Sequence, residues 1–82
     1  MRTNAAAVFG AVLSELRQQR SMTQEQLAVR ADLDRTYISY LENAHRSPSL
    51  ETMLALAHAL QIPLSQIAAL VEERLDAQQR SS

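Results

Sequence analysis

Scanned for a repeat of 3.6 residues, the chain divides into five apolar-striped segments separated by short polar breaks. Phe9, Leu13 and Leu16 share one face while Glu15, Arg17, Gln18 and Gln19 lie on others, which predicts a helix over 5–19 that ends near Arg20 and Ser21. Thr23 then precedes Gln24, Glu25 and Gln26, a capping-box arrangement, followed by apolar Leu27, Ala28 and Ala31, so a short second helix is expected over about 24–30. Asp32-Leu33-Asp34 looks like a turn with Asp34 as the next N-cap, because a short acceptor satisfies orphan amides and its charge suits the positive helix end. The third helix then covers about 35–42 and buries Ile38 and Leu41. The stretch 43–48 is polar and ends in proline, which marks a loop. Ser49 caps a fourth helix over about 50–60, with Leu50, Met53 or Leu54, Ala57 and Leu60 at helical spacing. After the break at 61–64, Ser65 opens a fifth helix whose stripe is Ile67, Leu70 or Val71, and Leu75. The polar tail 77–82 is expected to fray.

Composition agrees with an all-α fold, a five-helix bundle forming one domain over 1–82. One glycine and two prolines leave few breaks, and thirteen alanines and twelve leucines are strong helix formers. Cysteine is absent, which excludes disulfides, thiolate metal sites and thiol catalysis, and suits a reducing compartment. Arg2 before the apolar run 5–13 is a poor secretory signal, since Ser14-Glu15-Leu16-Arg17 stands where a small-residue cleavage site belongs. No run approaches the roughly 20 apolar residues of a membrane span. A cytoplasmic location is expected. All eight basic residues are arginine and nine acids bring the net charge to −1, so nucleic-acid binding has to rest on where the arginines lie.

Two short helices joined by a tight turn, about 24–42, have the form of a helix-turn-helix. Thr23-Gln24-Glu25-Gln26-Leu27-Ala28, then Leu33-Asp34-Arg35-Thr36-Tyr37-Ile38-Ser39, then Leu41-Glu42 and Ser47-Pro48-Ser49-Leu50-Glu51-Thr52 resemble the λ-repressor-like, Cro/XRE-type helix-turn-helix family over about 9–67. The short chain and the stretch 33–39 are most similar to the controller proteins of restriction-modification systems. The resemblance implies that the third helix lies in the DNA major groove, with Arg35, Thr36, Ser39 and Tyr40 toward the bases. Helical phase supports this independently, because Ile38 and Leu41 fix the inward face. An arginine there forks onto guanine O6 and N7; a merely solvated arginine is less natural at that helix end, where the dipole disfavours it.

The resemblance also implies backbone or minor-groove contacts from Gln24 at the second helix start, from Tyr37, and from Asn43, His45 and Arg46 in the loop. Tyr37 is partly inward by helical phase, so the alternative for it is a ring in the core with only its hydroxyl near the backbone; His45 is otherwise simply solvated. Arg17 and Glu42 match positions that form a structural ion pair in the family. Where the family often places glycine, this chain has Ser21, Asp32, Asn43 and Gln61; Asp and Asn tolerate positive φ, whereas Ser21 and Gln61 imply strain or a different turn. Val12 and Ser14 stand where basic residues are common, so a single subunit should hold DNA weakly.

A homodimer follows, with self-association in about 62–76 through Leu64, Leu70 and Val71 unless these only complete the core. The expected partners are double-stranded DNA, a second copy of the chain and a polymerase subunit, to which Glu25 could contribute; no cofactor, metal or small-molecule ligand is indicated. His45 and His58 have no HExxH or carboxylate company, so an enzyme is not expected. The expectation is therefore an autoregulatory, sequence-specific transcriptional regulator on a short pseudo-palindrome. Its rival is a protein-interaction module, such as an antitoxin, with the same fold.

Overall fold

The helices fall where their caps and apolar stripes put them. In the computed structural model, which describes residues 4–81, the order is α1 (Ala5–Gln19), α2 (Gln24–Ala31), α3 (Arg35–Glu42), α4 (Leu50–Leu60) and α5 (Leu64–Ser81). Thr23 Oγ1 accepts from the Gln26 amide at 3.0 Å while Gln26 Oε1 accepts from the Thr23 amide at 2.9 Å, completing the capping box at α2. Ser49 Oγ likewise accepts from the Thr52 amide at 3.1 Å. Asp34 departs from expectation. Its backbone has the extended N-cap conformation, but its side chain makes no capping hydrogen bond.

The C-terminal ends of α1 to α4 share one closure, with a left-handed residue just past each helix. These residues are Ser21, Asp32, Ala44 and Gln61, with φ of 54°, 57°, 61° and 57°. In each case the next amide reaches back five residues: Met22 to Arg17, Leu33 to Ala28, His45 to Tyr40 and Ile62 to Ala57, at 2.8–3.1 Å. Ser21 and Gln61 thus adopt the positive φ that glycine would take more easily. At α3 the expectation shifts by one residue: Asn43 keeps φ at −99° and Ala44 takes the left-handed place. Asn43 instead donates its Nδ2 to the Ser39 carbonyl at 2.8 Å.

α1 packs on α3 and α5, α2 on α3 and α4, and α4 on α5. Leu13, Leu27, Ile38, Leu41, Leu56, Leu60 and Ile67 meet in the centre, fully buried. The sole glycine of the sequence is not at a turn. Gly10 lies inside α1, where a Cβ would come within 2.4 Å of the Leu41 carbonyl oxygen, so its bare Cα lets α1 close on the end of α3. Arg20 ties two helix ends together, donating Nε to the Leu60 carbonyl at 2.8 Å and Nη1 to the Leu16 carbonyl at 3.2 Å.

Two further sequence expectations change. α4 docks through Leu56, Ala57 and Leu60, so Leu50, expected on its buried stripe, remains 59% exposed, and of the alternatives Met53 and Leu54 it is Met53 that packs against the core while Leu54 stays 51% exposed. α5 begins one residue earlier than Ser65 and runs to Ser81, through residues expected to fray. Ala77, Gln78, Gln79 and Arg80 are good helix formers, and a terminal arginine suits the negative helix end. No single helix among the described residues is long and apolar enough to cross a membrane.

Candidate nucleic-acid interface

The outer surface of α3 is set by its inner one. Ile38 and Leu41 are fully buried, which leaves Arg35, Thr36 and Tyr40 exposed and Ser39 half-buried on the opposite side. The geometry brings these four residues to one face, as helical phase requires. Tyr37 is half-buried and packed against the core, which favours the inward placement of its ring.

Beneath this face runs a chain of hydrogen bonds through three helices. Arg17 Nε donates to Glu42 Oε2 at 2.7 Å and Arg17 Nη2 to Glu42 Oε1 at 3.1 Å, while Nη1 donates to the Met22 carbonyl at 2.7 Å. The pair is largely removed from water, with side-chain exposures of 13% and 6%. Those hydrogen bonds and the adjacent carboxylate hold the Arg17 guanidinium more firmly protonated than usual.

Gln24 joins this pair to the surface: its Nε2 donates to Glu42 Oε1 at 3.0 Å, and its Oε1 lies 3.5 Å from Arg35 Nη1. The carboxylate therefore fixes which way the amide points, with the acceptor oxygen turned toward Arg35. Sequence reasoning placed Gln24 at phosphate; it did not anticipate that the amide nitrogen is already engaged by Glu42.

The loop after α3 holds Asn43, His45 and Arg46, all exposed. His45 is more than solvated. Its ring stands 5.8 Å from the Tyr40 ring, and its amide donates to the Tyr40 carbonyl at 2.8 Å, so it supplies the side-chain contact that closes the α3 turn. The local signal was present in the sequence as an aromatic residue and a histidine five apart. Arg35 at the start of α3 and Arg46 in the loop after it are both exposed, with acidic Asp34 next to Arg35 in sequence.

The expected self-association residues separate. Leu64 and Val71 line an apolar groove of about 320 Å³ with Phe9, Pro48 and Met53, while Leu70 lies on the other flank of α5 against Val12 and Leu16. All three are half-buried against the core. On that flank Arg74 also makes a bidentate pair with Glu15, at 2.7 and 2.6 Å, which nothing in the helical periodicity indicated. These hydrogen bonds hold the Glu15 carboxyl below the usual carboxylate range.

Residues 13–67 match the protein-family model described as helix-turn-helix. The chain is 38% identical over 66 residues to the control protein C.MunI of a Mycoplasma species, covering 79% of this chain and 89% of that protein. It is 41% identical over 58 residues to the immunity repressor protein of Bacillus phage phi105, covering 71% of this chain; the chain spans only 40% of that repressor's length. Among solved structures, the restriction-modification controller protein C.AhdI from Aeromonas hydrophila is 39% identical, with a TM-score of 0.74 over 76% of this chain and 94% of the other. The C.Esp1396I controller tetramer in complex with its natural 35 base-pair operator shares the fold, with a TM-score of 0.82 at 24% identity over 90% of this chain and 97% of that one.

Proposed function

The chain belongs to the helix-turn-helix family, and we propose that it is a controller-like transcriptional regulator that binds a short pseudo-palindromic operator as a homodimer in the cytoplasm. The observation that carries this reading is the α3 surface: Arg35, Thr36, Ser39 and Tyr40 share one face of a helix whose other side is locked by Ile38 and Leu41. In the bound complex Arg35 forks onto a guanine, and Arg46 meets the backbone from the loop. Gln24 acts through Arg35, holding the guanidinium by its acceptor oxygen rather than by donating to phosphate. Asn43 spends its amide on the end of α3, so it supports the loop.

With Arg35 and Arg46 as the exposed arginines around α3 and acidic Asp34 next to the first, one subunit has few phosphate contacts. A second subunit doubles the contacts and steepens the salt dependence accordingly. The apolar groove at Leu64 and Val71, with exposed Leu50 and Leu54 on the adjacent helix, supports the self-association side of this reading; Leu70 belongs to the α1–α5 packing. Glu25 and Val29, the latter 75% exposed, leave the outer side of α2 free for a polymerase subunit. Regulation of the chain's own promoter and of restriction-modification genes is the role we assign to the dimer.

Selection of bound duplexes from a randomised library at about 150 mM salt, with Arg35→Ala in parallel, tests the reading. Enrichment of a two-fold symmetric motif, lost in the variant, is the expected result. No enrichment would transfer the fold to binding a protein partner.

A further inference from the structure

We infer that Asp34 is a specificity-determining residue of the recognition surface, its carboxylate accepting the N4 amino group of a cytosine in the base pair next to the guanine read by Arg35. This assignment rests on the DNA-binding reading above and names a residue which that reading leaves out. It starts from a structural anomaly. An aspartate preceding a helix ordinarily accepts a hydrogen bond from the first-turn amides. Asp34 has the backbone for it, with φ −75° and ψ 141°, yet its side chain makes no such bond. It is exposed and joins neither of the ion pairs formed among the described residues, Arg17–Glu42 and Arg74–Glu15. The carboxylate is therefore a free acceptor at the leading end of α3.

DNA restricts what such a group can meet. The phosphates repel it, and the major groove offers hydrogen-bond donors only at the amino groups of cytosine and adenine. Opposite guanine O6 or thymine O4 the carboxylate faces another acceptor, and that mismatch has a cost. In an A·T pair the N6 donor lies between two acceptors, adenine N7 and thymine O4, whereas the cytosine N4 donor has an acceptor on one side only, the O6 of its paired guanine, so cytosine is the better match. Spacing is compatible with a neighbouring pair, since consecutive Cα atoms lie about 3.8 Å apart and bases on one strand rise by about 3.4 Å. The neighbour in sequence has the complementary chemistry: Arg35 is a pure donor and Asp34 a pure acceptor. One attracts guanine, and the other excludes guanine and thymine from the adjoining position, a discrimination that works by repulsion as much as by attraction.

The test compares duplexes selected by wild type, Asp34→Asn and Asp34→Ser under the same conditions. Asparagine keeps the size but adds a donor; serine restores a strong neutral cap, so helix stability is preserved while the carboxylate is lost. Wild type should favour cytosine over thymine or guanine by about tenfold at one position beside the Arg35 guanine. Both variants should reduce that preference to about threefold or less, leave the guanine preference in place, and bind random duplex more tightly because a charge that repels phosphate has gone. Thermal melts should show both variants folded. A symmetric motif whose base weights are unchanged in both variants would overturn the assignment alone. Failure of wild type to enrich any symmetric motif would remove the DNA reading and the assignment with it.

Discussion

Gly10→Ala sets two physical effects of opposite sign against each other. Helix propensity favours alanine over glycine inside α1 by about 1 kcal/mol. Packing opposes it, because the new Cβ would lie 2.4 Å from the Leu41 carbonyl oxygen and 2.8 Å from that of Glu42. The nearer approach is 1.0 Å short of the 3.4 Å at which ordinary contact begins, and both obstacles are backbone, which no rotamer change can remove. Forcing α3 away by that distance should cost about 1–3 kcal/mol as overpacking. Opening the 2.7 Å bond from Arg17 to Glu42 in the same movement adds about 1–2 kcal/mol. The net loss is about 2 kcal/mol, which for a domain of this size lowers Tm by roughly 8–16 °C. Circular-dichroism melts of both proteins at one concentration read this directly, and matching the concentration removes any contribution from self-association. A Tm that rises or stays level would refute the argument, since propensity would then outweigh the contact between α1 and the end of α3.

Other outcomes follow from the same geometry. Glu42→Gln should lower stability by about 2–3 kcal/mol in urea denaturation, less than for a fully buried orphan charge because Arg17 keeps 13% exposure; a cycle with Arg17→Met that shows no coupling would contradict the pair's role. Ala44→Gly, at φ 61°, should gain about 0.5–1 kcal/mol once the glycine's unfolded-state entropy is subtracted, measured by thermal melts. Arg74→Ala should let Glu15 titrate at higher pH, followed by carboxyl NMR. With its folded pKa depressed, Glu15 contributes stability above its unfolded pKa and loses that contribution as pH falls through the folded value, so the variant should show a weaker dependence at acidic pH.

The boundaries of α1 and α3 were legible because Phe9, Leu13 and Leu16, and then Ile38 and Leu41, repeat at 3.6, and those of α2 and α4 because Thr23 and Ser49 are strong caps. The outward face of α3 and the Arg17–Glu42 pair were legible too, the first from phase and the second through the family resemblance. What periodicity cannot reveal is how far along its length a helix docks: Leu50 and Leu54 have core spacing but overhang the contact that Leu56 and Leu60 make. Orientation within a side chain is equally hidden. The direction of the Gln24 amide depends on a carboxylate eighteen residues away, and the free carboxylate of Asp34 on a capping bond that is not made.

The four left-handed closures have a kinetic consequence. With serine, alanine and glutamine in three of them and only Asp32 tolerant of positive φ, residue preference does little to stop these helices; burial of the following Met22 and Ile62 and the partial burial of Leu33 hold the closures of α1, α4 and α2, and the contact of exposed His45 with Tyr40 holds that of α3. Turns held by such contacts are expected to take their native conformation only once the helices dock. Interactions made after the rate-limiting barrier act on escape from the native state rather than on entry to it. Glycine at Ser21, Ala44 or Gln61 should therefore slow unfolding and leave the folding rate nearly unchanged, so the closures are places where the lifetime of a folded molecule can be lengthened.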